Sequence, residues 1–340
     1  MTVMAEQRRP AGLLAVEKEM ARQHADALAS FEGNSDVAQK VAASLGKTRR
    51  LLLLGMGGSH AVGRAVEPHY RSLGIDAIAL PLSEQLTATL SLENATILVT
   101  SQSGESAEVL RWFRETGGTA DTFGLTMEGG SSLAKSCPSL IGSGGTEHAF
   151  AATRSLTVTF ALHLAILAAL GQNPASALER LKNPEEPSIG AALNALSSAA
   201  TVVTSGRRLQ GVAEAIALGF TELSRLPCFS LEGGQLRHGP VEMLGPKVGL
   251  LMFRADDATA GLVGAMATTA IDAGSPVILF DCSGESAVPG AVTIRVAPAS
   301  DLAAVFALLP VAQSLMVAFA ETRAPNAGTP VRSTKITRVE

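Results

Sequence analysis

The sequence is poor in several residue types, and each shortage narrows what the chain can be. Aromatic residues make up 4% and charged residues 17% of its 340 residues, and the formal net charge is -4. No run of basic residues is interleaved with aromatic ones, so the sequence lacks the electrostatic footprint of a protein that binds nucleic acid or an anionic membrane. We therefore expect neither as a partner, and small-molecule chemistry becomes the favoured class of function.

Cysteine and long apolar runs are also scarce. The three cysteines, Cys137, Cys228 and Cys282, are scattered, which argues against a disulfide framework or a zinc cluster. The N-terminal stretch carries basic residues without the apolar core of a signal peptide, and no later run is expected to be long and apolar enough to span a bilayer. These observations predict a cytoplasmic protein in a reducing compartment.

What the chain does contain is a repeated alternation of buried strands and helices. The apolar runs LLLLG, IDAIAL, TILVT and TFGLT are separated by helical patterns, and ATVVTSG, VGLLMF and PVILFD repeat the theme in the second half. Such alternation predicts parallel sheets covered by helices on both faces. The predicted fold class is α/β, with two doubly wound, flavodoxin-like, three-layer α/β/α domains.

Helical spacing and breaker residues suggest where these domains begin and end. Apolar positions predict one leading helix from about Leu13 to Phe31, and LKNPEEPSIG, rich in proline and charge, is typical of a linker. We divide the chain into an N-terminal helix (1–32), a first domain (33–185), a second domain (195–322) and a C-terminal segment (323–340).

Two loops rich in glycine and serine follow predicted strands of the first half. After LLLL comes GMGGSHAVG, and after ILVT comes SQSGES. Either loop alone could be an ordinary tight turn, but two at neighbouring strand ends predict a phosphate cradle, since helix N-termini and backbone N–H groups attract anions there. Neither loop has the pattern of a Walker motif or a dinucleotide fingerprint, and no histidine has convincing metal-ligand spacing. We predict no metal and no cofactor.

A family resemblance rests on motifs spread over nearly the whole chain. The Gly-x-Gly-x-Ser turn, SQSGE, EGGQLRHGP and the C-terminal PVRSTKITRVE occur in this order. The combination resembles the tandem SIS (sugar isomerase) domain proteins, in particular the isomerase half of glutamine–fructose-6-phosphate aminotransferase, the glucosamine-6-phosphate deaminases and the fructosamine-phosphate deglycases. The resemblance implies two SIS domains, a C-terminal loop that closes the active site, and a homodimer.

The resemblance also implies roles for individual residues. Glu222 matches the carboxylate that moves a proton between C1 and C2, His238 a histidine that reaches the neighbouring subunit's site to assist ring opening, and Lys335 a lysine that covers the sugar. The implied substrate-binding residues are Gly57, Gly58, Ser59, Ser101, Gln102, Ser103, Gly104, Ser106 and Glu147. Gly58 and Gly219 stand where the aminotransferases have threonine and lysine, so sugar selectivity is left open.

Three functions are compatible with this set. The first is a phosphosugar isomerase that deaminates an amino-sugar phosphate, which needs a base near C1 and C2, an acid-base group for ring opening and positive charge near developing oxyanions. The second is a simple aldose–ketose phosphosugar isomerase or a fructosamine-phosphate deglycase. The third is a non-catalytic sugar-phosphate sensor. We favour the first, and since we see no glutaminase domain we do not expect glutamine to supply ammonia.

Overall fold

The structure is a computed structural model that describes residues 9–338. The predictions for segments 1–32 and 323–340 extend to residues 1–8 and 339–340, which lie outside the described residues. Three helices precede the first strand: α1 (Ala11–Met20), α2 (Gln23–Glu32) and α3 (Ser35–Thr48). The prediction of one helix from Leu13 to Phe31 is therefore wrong. The helical stretch is interrupted by a turn at Ala21 and Arg22, because α1 packs on the helix at Asp301–Glu321 and α2 packs on the helix at Arg154–Ala169.

The first sheet has five parallel strands in the spatial order β2-β1-β3-β4-β5. Leu51 of β1 pairs with Ala77 of β2 on one side and with Thr96 of β3 on the other. The strands are β1 (Arg50–Gly55), β2 (Asp76–Pro81), β3 (Thr96–Thr100), β4 (Thr122–Thr126) and β5 (Ser139–Ile141). The helices that accompany and follow them are α4 (Gly58–Ser72), α5 (Leu82–Gln85), α6 (Ala107–Thr116), α7 (Ser132–Ser136), α8 (Arg154–Ala169), α9 (Ala175–Lys182) and α10 (Gly190–Ala195).

The second sheet repeats the same topology. Its five parallel strands lie in the order β10-β9-β8-β6-β7, so in each half the first strand lies between the second and the third. The strands are β6 (Thr201–Ser205), β7 (Cys228–Ser230), β8 (Val248–Ala255), β9 (Val277–Cys282) and β10 (Val292–Arg295). The helices are α11 (Gln210–Ser224), α12 (Gly233–Arg237), α13 (Ala260–Asp272) and α14 (Asp301–Glu321), with a 3₁₀ turn at Pro240–Met243. The predicted α/β class with two doubly wound parallel sheets is confirmed.

Three strands were not predicted from the sequence, namely β5, β7 and β10. Each lies at the edge of its sheet and has only three or four residues, and most residues of β7 and β10 are half-buried or exposed. An edge strand is not covered on all sides, so it has no need of the continuous apolar run by which the central strands were recognised.

The two halves meet where α4 crosses α11. A Cβ on Gly211 would lie 2.2 Å from the backbone nitrogen of Ala65, so the two helices touch backbone to backbone. One continuous cluster of buried apolar side chains runs through α4, α8, α11 and α14. Because this core is shared, the domain boundaries at 33–185 and 195–322 stay predictions.

Helix α14 corrects one expectation from the sequence. By length and composition it is long and apolar enough to cross a membrane, whereas no such run was expected. However, 83% of its 18-residue apolar window is buried inside the protein, where it packs on α11 and α9. We therefore interpret α14 as the core helix of the second half.

Candidate active site

The two predicted phosphate loops lie side by side at one edge of the first sheet. Strands β1 and β3 are neighbours, and their carboxyl ends lead into residues 56–59 and 101–106 and then into the N-termini of α4 and α6. A cavity of about 300 Å³ opens between them. Of the predicted residues, those that line it are Gly57, Gly58, Ser59, Ser101, Gln102, Ser103, Ser106, Glu222 and Lys335.

The loop at residues 101–106, called the serine loop below, is stabilised by hydrogen bonds of its own hydroxyl groups. Ser101 Oγ accepts a hydrogen bond from the backbone of Gly104 (3.1 Å) and lies 3.0 Å from Ser106 Oγ. From outside the loop, the backbone and hydroxyl of Ser132 donate to the two carboxylate oxygens of Glu105 at 2.7 and 3.0 Å. Gln102 Nε2 is buried without a hydrogen-bond partner among the described residues, so this cavity-lining amide has a donor to offer a ligand.

Gly104 does not line the cavity but fixes the curvature of the serine loop. Its φ is +65°, and a Cβ there would lie 2.2 Å from Ser131 Oγ. Gly104→Ala therefore meets both left-handed strain and a clash, and the strain alone costs about 1–3 kcal/mol. We expect the variant to weaken the affinity for inorganic phosphate or a sugar phosphate by about tenfold or more, as measured by calorimetry.

A matched control is Gly117→Ala. Gly117 ends α6 with φ +71°, but nothing lies within 4 Å of its Cβ position. This variant should lose stability through the same backbone strain and keep its affinity for phosphate. Equal loss of affinity in both variants would show that Gly104 has no special part in shaping the loop.

The loop at residues 56–59, called the glycine loop below, forms the cavity wall opposite the serine loop. Gly57 precedes α4 with φ +52°, and Ser59 N donates to Met56 O at 3.0 Å. A Cβ on Gly58 would lie 3.0 Å from a methyl group of Leu156. The residue at which the resemblance would place a threonine thus faces an apolar side chain that leaves little room for one.

Glu222 reaches the cavity from the second half of the chain. It lies on the last turn of α11, where the hydroxyl of Thr221 donates to the carbonyl of Cys228 on β7 at 2.7 Å. Burial raises the pKa of Glu222 to about 7, an effect that the ammonium of Lys335 reduces and the carboxylate of Glu147 reinforces. Near neutral pH this carboxyl can therefore both take and return a proton.

Lys335 is held above the cavity by a buried carboxylate. Its Nζ lies 3.1 Å from Glu147 Oε2 and 3.3 Å from the carbonyl oxygen of Phe150. Glu147 is 0% exposed and also accepts from Thr153 N (3.0 Å) and Ser155 Oγ (2.6 Å). Burial alone would raise the pKa of Glu147, but Lys335 and these hydrogen bonds outweigh it and lower the pKa. Glu147, predicted to bind substrate, is therefore linked to the cavity through Lys335 rather than lining it.

His238 is not among the residues that line the cavity. It is exposed at the end of α12 and precedes Gly239, whose φ is +110°. The role implied for it needs a second copy of the chain and stays a prediction.

Sequence reasoning missed the part of the wall formed by α8 and by Leu218 of α11. Helix α8 supplies Ser155, Leu156 and Thr159, and α11 supplies Leu218. Leu218 precedes Glu222 by one helical turn, and Ser155 precedes Thr159 by one turn, so helical spacing from a known site residue could have found Leu218.

The corresponding edge of the second sheet is closed by ion pairs. Arg254 and Asp281 are the last residues but one of β8 and β9. Both are buried and are joined by two hydrogen bonds of 2.6 and 3.0 Å, and Arg295 adds a third bond to Asp281 at 3.0 Å. Within residues 9–338, no group of three or more His, Cys, Asp and Glu side chains is placed to hold a metal ion.

Comparison with solved structures shows what kind of fold carries this cavity. The C-terminal domain of glucosamine-fructose-6-phosphate aminotransferase from Francisella tularensis is 17% identical, with a TM-score of 0.79 over 91% of this chain and 96% of that one. The tagatose-6-phosphate ketose/aldose isomerase of Escherichia coli is 19% identical (TM-score 0.77, 93% and 95%). The glucosamine-6-phosphate deaminase of Thermotoga maritima is 19% identical (TM-score 0.68, 92% and 99%).

These similarities are structural. No protein-family model and no curated protein matches the sequence. At such identities the likeness shows the fold alone, namely that this chain shares the α/β fold with two parallel sheets of these sugar-phosphate enzymes.

Proposed function

We propose that the chain is a phosphosugar isomerase that acts on an amino-sugar phosphate and releases ammonia. The observation that carries the proposal is the meeting, in one cavity, of a hydroxyl-rich cradle, a carboxyl with a pKa of about 7 and an ammonium group. The cradle comes from the first half of the chain, whereas Glu222 and Lys335 come from later segments. Phosphate binding can therefore position the sugar without taking part in the bond changes.

The reaction follows from the positions of these groups. With the open-chain 2-amino-2-deoxyaldose 6-phosphate in the cavity, the Glu222 carboxylate takes the proton from C2, and the ammonium of Lys335 stabilises the negative charge that develops on O1. Glu222 then returns the proton to C1 while one proton of the amine passes to O1, which leaves a C2 imine and a C1 alcohol. Water adds to C2 and ammonia departs, so the products are the ketose phosphate and ammonia.

The remaining parts of the proposal concern assembly and location. We infer a homodimer in which His238 of a second copy assists ring opening, supported by the exposure of His238, which is not among the residues that line the cavity. A cytoplasmic location is supported by Cys137, Cys228 and Cys282, which are all free thiols.

The test is ammonia release from a panel of 2-amino-2-deoxyhexose 6-phosphates. Release from one sugar that is absent in Glu222→Gln would support the deaminase and name its substrate. Ketose formation without ammonia, or release of an amine from a fructosamine phosphate, would replace it with the isomerase or the deglycase. Binding without turnover, unaffected by Glu222→Gln, would indicate a sensor.

The pH profile gives a separate prediction. If the ionised form of Glu222 takes the proton, kcat/KM should fall about tenfold for each pH unit below its pKa of about 7. Above pH 7 the profile should level off until another group titrates. A profile that stays flat from pH 5 to 7 on the substrate that is turned over would exclude Glu222 as the base.

A further inference from the structure

A fully buried arginine lies next to the segment that holds Lys335. Arg154, the first residue of α8, is 0% exposed. Its Nε donates to Glu19 at 2.6 Å and its Nη1 to Asp26 at 3.1 Å, so it joins α8 to carboxylates on α1 and α2. A buried charge is tolerated only when it is paired and its donors are satisfied, and both conditions hold here.

The remaining donors of Arg154 bind the loop that leads to Glu147. Nη1 donates to the carbonyl of Ser143 (3.2 Å) and Nη2 to that of Gly145 (2.8 Å). Glu19 also binds the chain after Glu147, because its other carboxylate oxygen accepts a hydrogen bond from His148 N at 3.1 Å. The chain is thus clamped on both sides of Glu147.

This clamp determines where the ammonium of Lys335 lies. Glu147 and the carbonyl of Phe150, the two acceptors of Lys335, both belong to the clamped stretch, whereas the C-terminal segment that carries Lys335 is mostly exposed. A further tie to that segment is the bond from Ala107 N to the carbonyl of Thr337 at 3.0 Å. The cation is therefore placed largely by its acceptors.

We propose that Arg154 is a positioning residue of the active site: anchored by Glu19 and Asp26, it fixes the loop from which Glu147 and Phe150 hold Lys335 over the cavity. The N-terminal helices thereby take part in the site without touching it. Lysine cannot replace Arg154, because an ammonium has three donor hydrogens and no planar fork to reach four acceptors on three segments.

The first test needs no turnover. Acetylation by acetic anhydride, followed by mass spectrometry of the tryptic peptides around Lys335, measures how firmly that ammonium is held, since a paired amine reacts slowly. Arg154→Lys and Glu147→Gln should each acetylate several-fold faster at Lys335 than the wild type, with Lys40 and Lys47 on α3 as internal references. Circular dichroism would confirm that each variant is folded.

The matched control is Arg254→Lys. Arg254 is also a buried arginine that forks onto a carboxylate, but it lies in the second half and does not line the cavity. Its loss should lower stability and leave the acetylation of Lys335 unchanged. If Arg154→Lys does not fold, Glu19→Gln removes one of the two carboxylates and tests the same clamp. Lys335 acetylation that is unchanged in folded Arg154→Lys or Glu19→Gln overturns the proposal.

A second test measures the pH dependence of kcat/KM. It rests on the proposed function, so it is made only if the wild type turns over a substrate. Among the described residues, the charges that act on Glu222 are those of Lys335 and Glu147. If Lys335 drifts away in Arg154→Lys, Glu222 loses the cation that lowers its pKa, so the acidic limb of kcat/KM should move to higher pH. A purely structural role would lower the melting temperature and leave the limb in place, as expected for Arg254→Lys. An inactive wild type would contradict the proposed function and leave the acetylation test intact.

Discussion

Glu222→Gln is expected to lower kcat by about 10²–10⁴-fold, the usual contribution of a general base, and to leave the affinity for the sugar phosphate nearly unchanged. The reason is the division of the site between segments: the phosphate cradle belongs to residues 56–59 and 101–106, and Glu222 lies on α11. Glutamine has the same shape but cannot accept the proton. Steady-state kinetics and calorimetry on the same preparation separate the two quantities.

The stability of this variant supplies its internal control. Because the pKa of Glu222 is raised to about 7 in the folded chain, folding favours the protonated carboxyl. Its contribution to stability is present at low pH and is lost as the pH rises from the unfolded value towards 7 and beyond. Glu222→Gln should therefore melt no lower than the wild type at pH 8. If an inactive variant also melted lower, its loss of activity could come from destabilisation and would not identify Glu222 as the base.

Gly211→Ala is expected to have the largest effect on stability. The added Cβ would lie 2.2 Å from Ala65 N and 2.4 Å from Ala61 O, and these are backbone atoms of α4 that cannot rotate away. Overpacking of this kind usually costs about 1–3 kcal/mol. Since α11 carries Glu222 and α4 begins at the glycine loop, forcing the helices apart should also reduce kcat more than it weakens phosphate binding. Urea denaturation and kinetics would measure the two effects.

Gly46→Ala is the matched control for this substitution. Gly46 is exposed within α3, and nothing lies within 4 Å of its Cβ position. Alanine should stabilise this helix by up to about 1 kcal/mol and leave kcat unchanged. If Gly211→Ala behaved like Gly46→Ala, the close approach of α4 and α11 would have no energetic importance.

The sequence was sufficient for the inner strands of both sheets and for the edge strand β2, but not for the short edge strands β5, β7 and β10. LLLLG and TILVT are buried on both faces, so their composition alone revealed β1 and β3. The edge strand β7, with sequence CFS, has no such requirement and left no signal. Likewise the break at Ala21 and Arg22 depends on which surfaces α1 and α2 pack against, and local spacing contains no information about that.

For the site, the motifs predicted the two loops, Glu222 and Lys335, which line one cavity, because each lies in a short stretch with recognisable residues. They did not reveal that Glu147 supports Lys335, since the two are far apart in sequence and meet only through the C-terminal segment. Nor did they reveal Arg154, whose importance lies in its burial and its four acceptors. Contacts between distant segments depend on the tertiary structure, which no motif encodes.

The two halves of the chain share a topology, and the proposed phosphate cradle lies at strand ends of the first half. In the second, Arg254 near the end of β8 pairs with Asp281 near the end of β9, and α11 contributes Glu222 to the first half's cavity. The residues proposed to bind the phosphate and the residues proposed to react with the sugar thus lie in separate stretches of the sequence. Under the proposed function, substitutions on α11 or in the C-terminal segment are therefore expected to change the reaction at C1 and C2 while the binding of the phosphate group is kept.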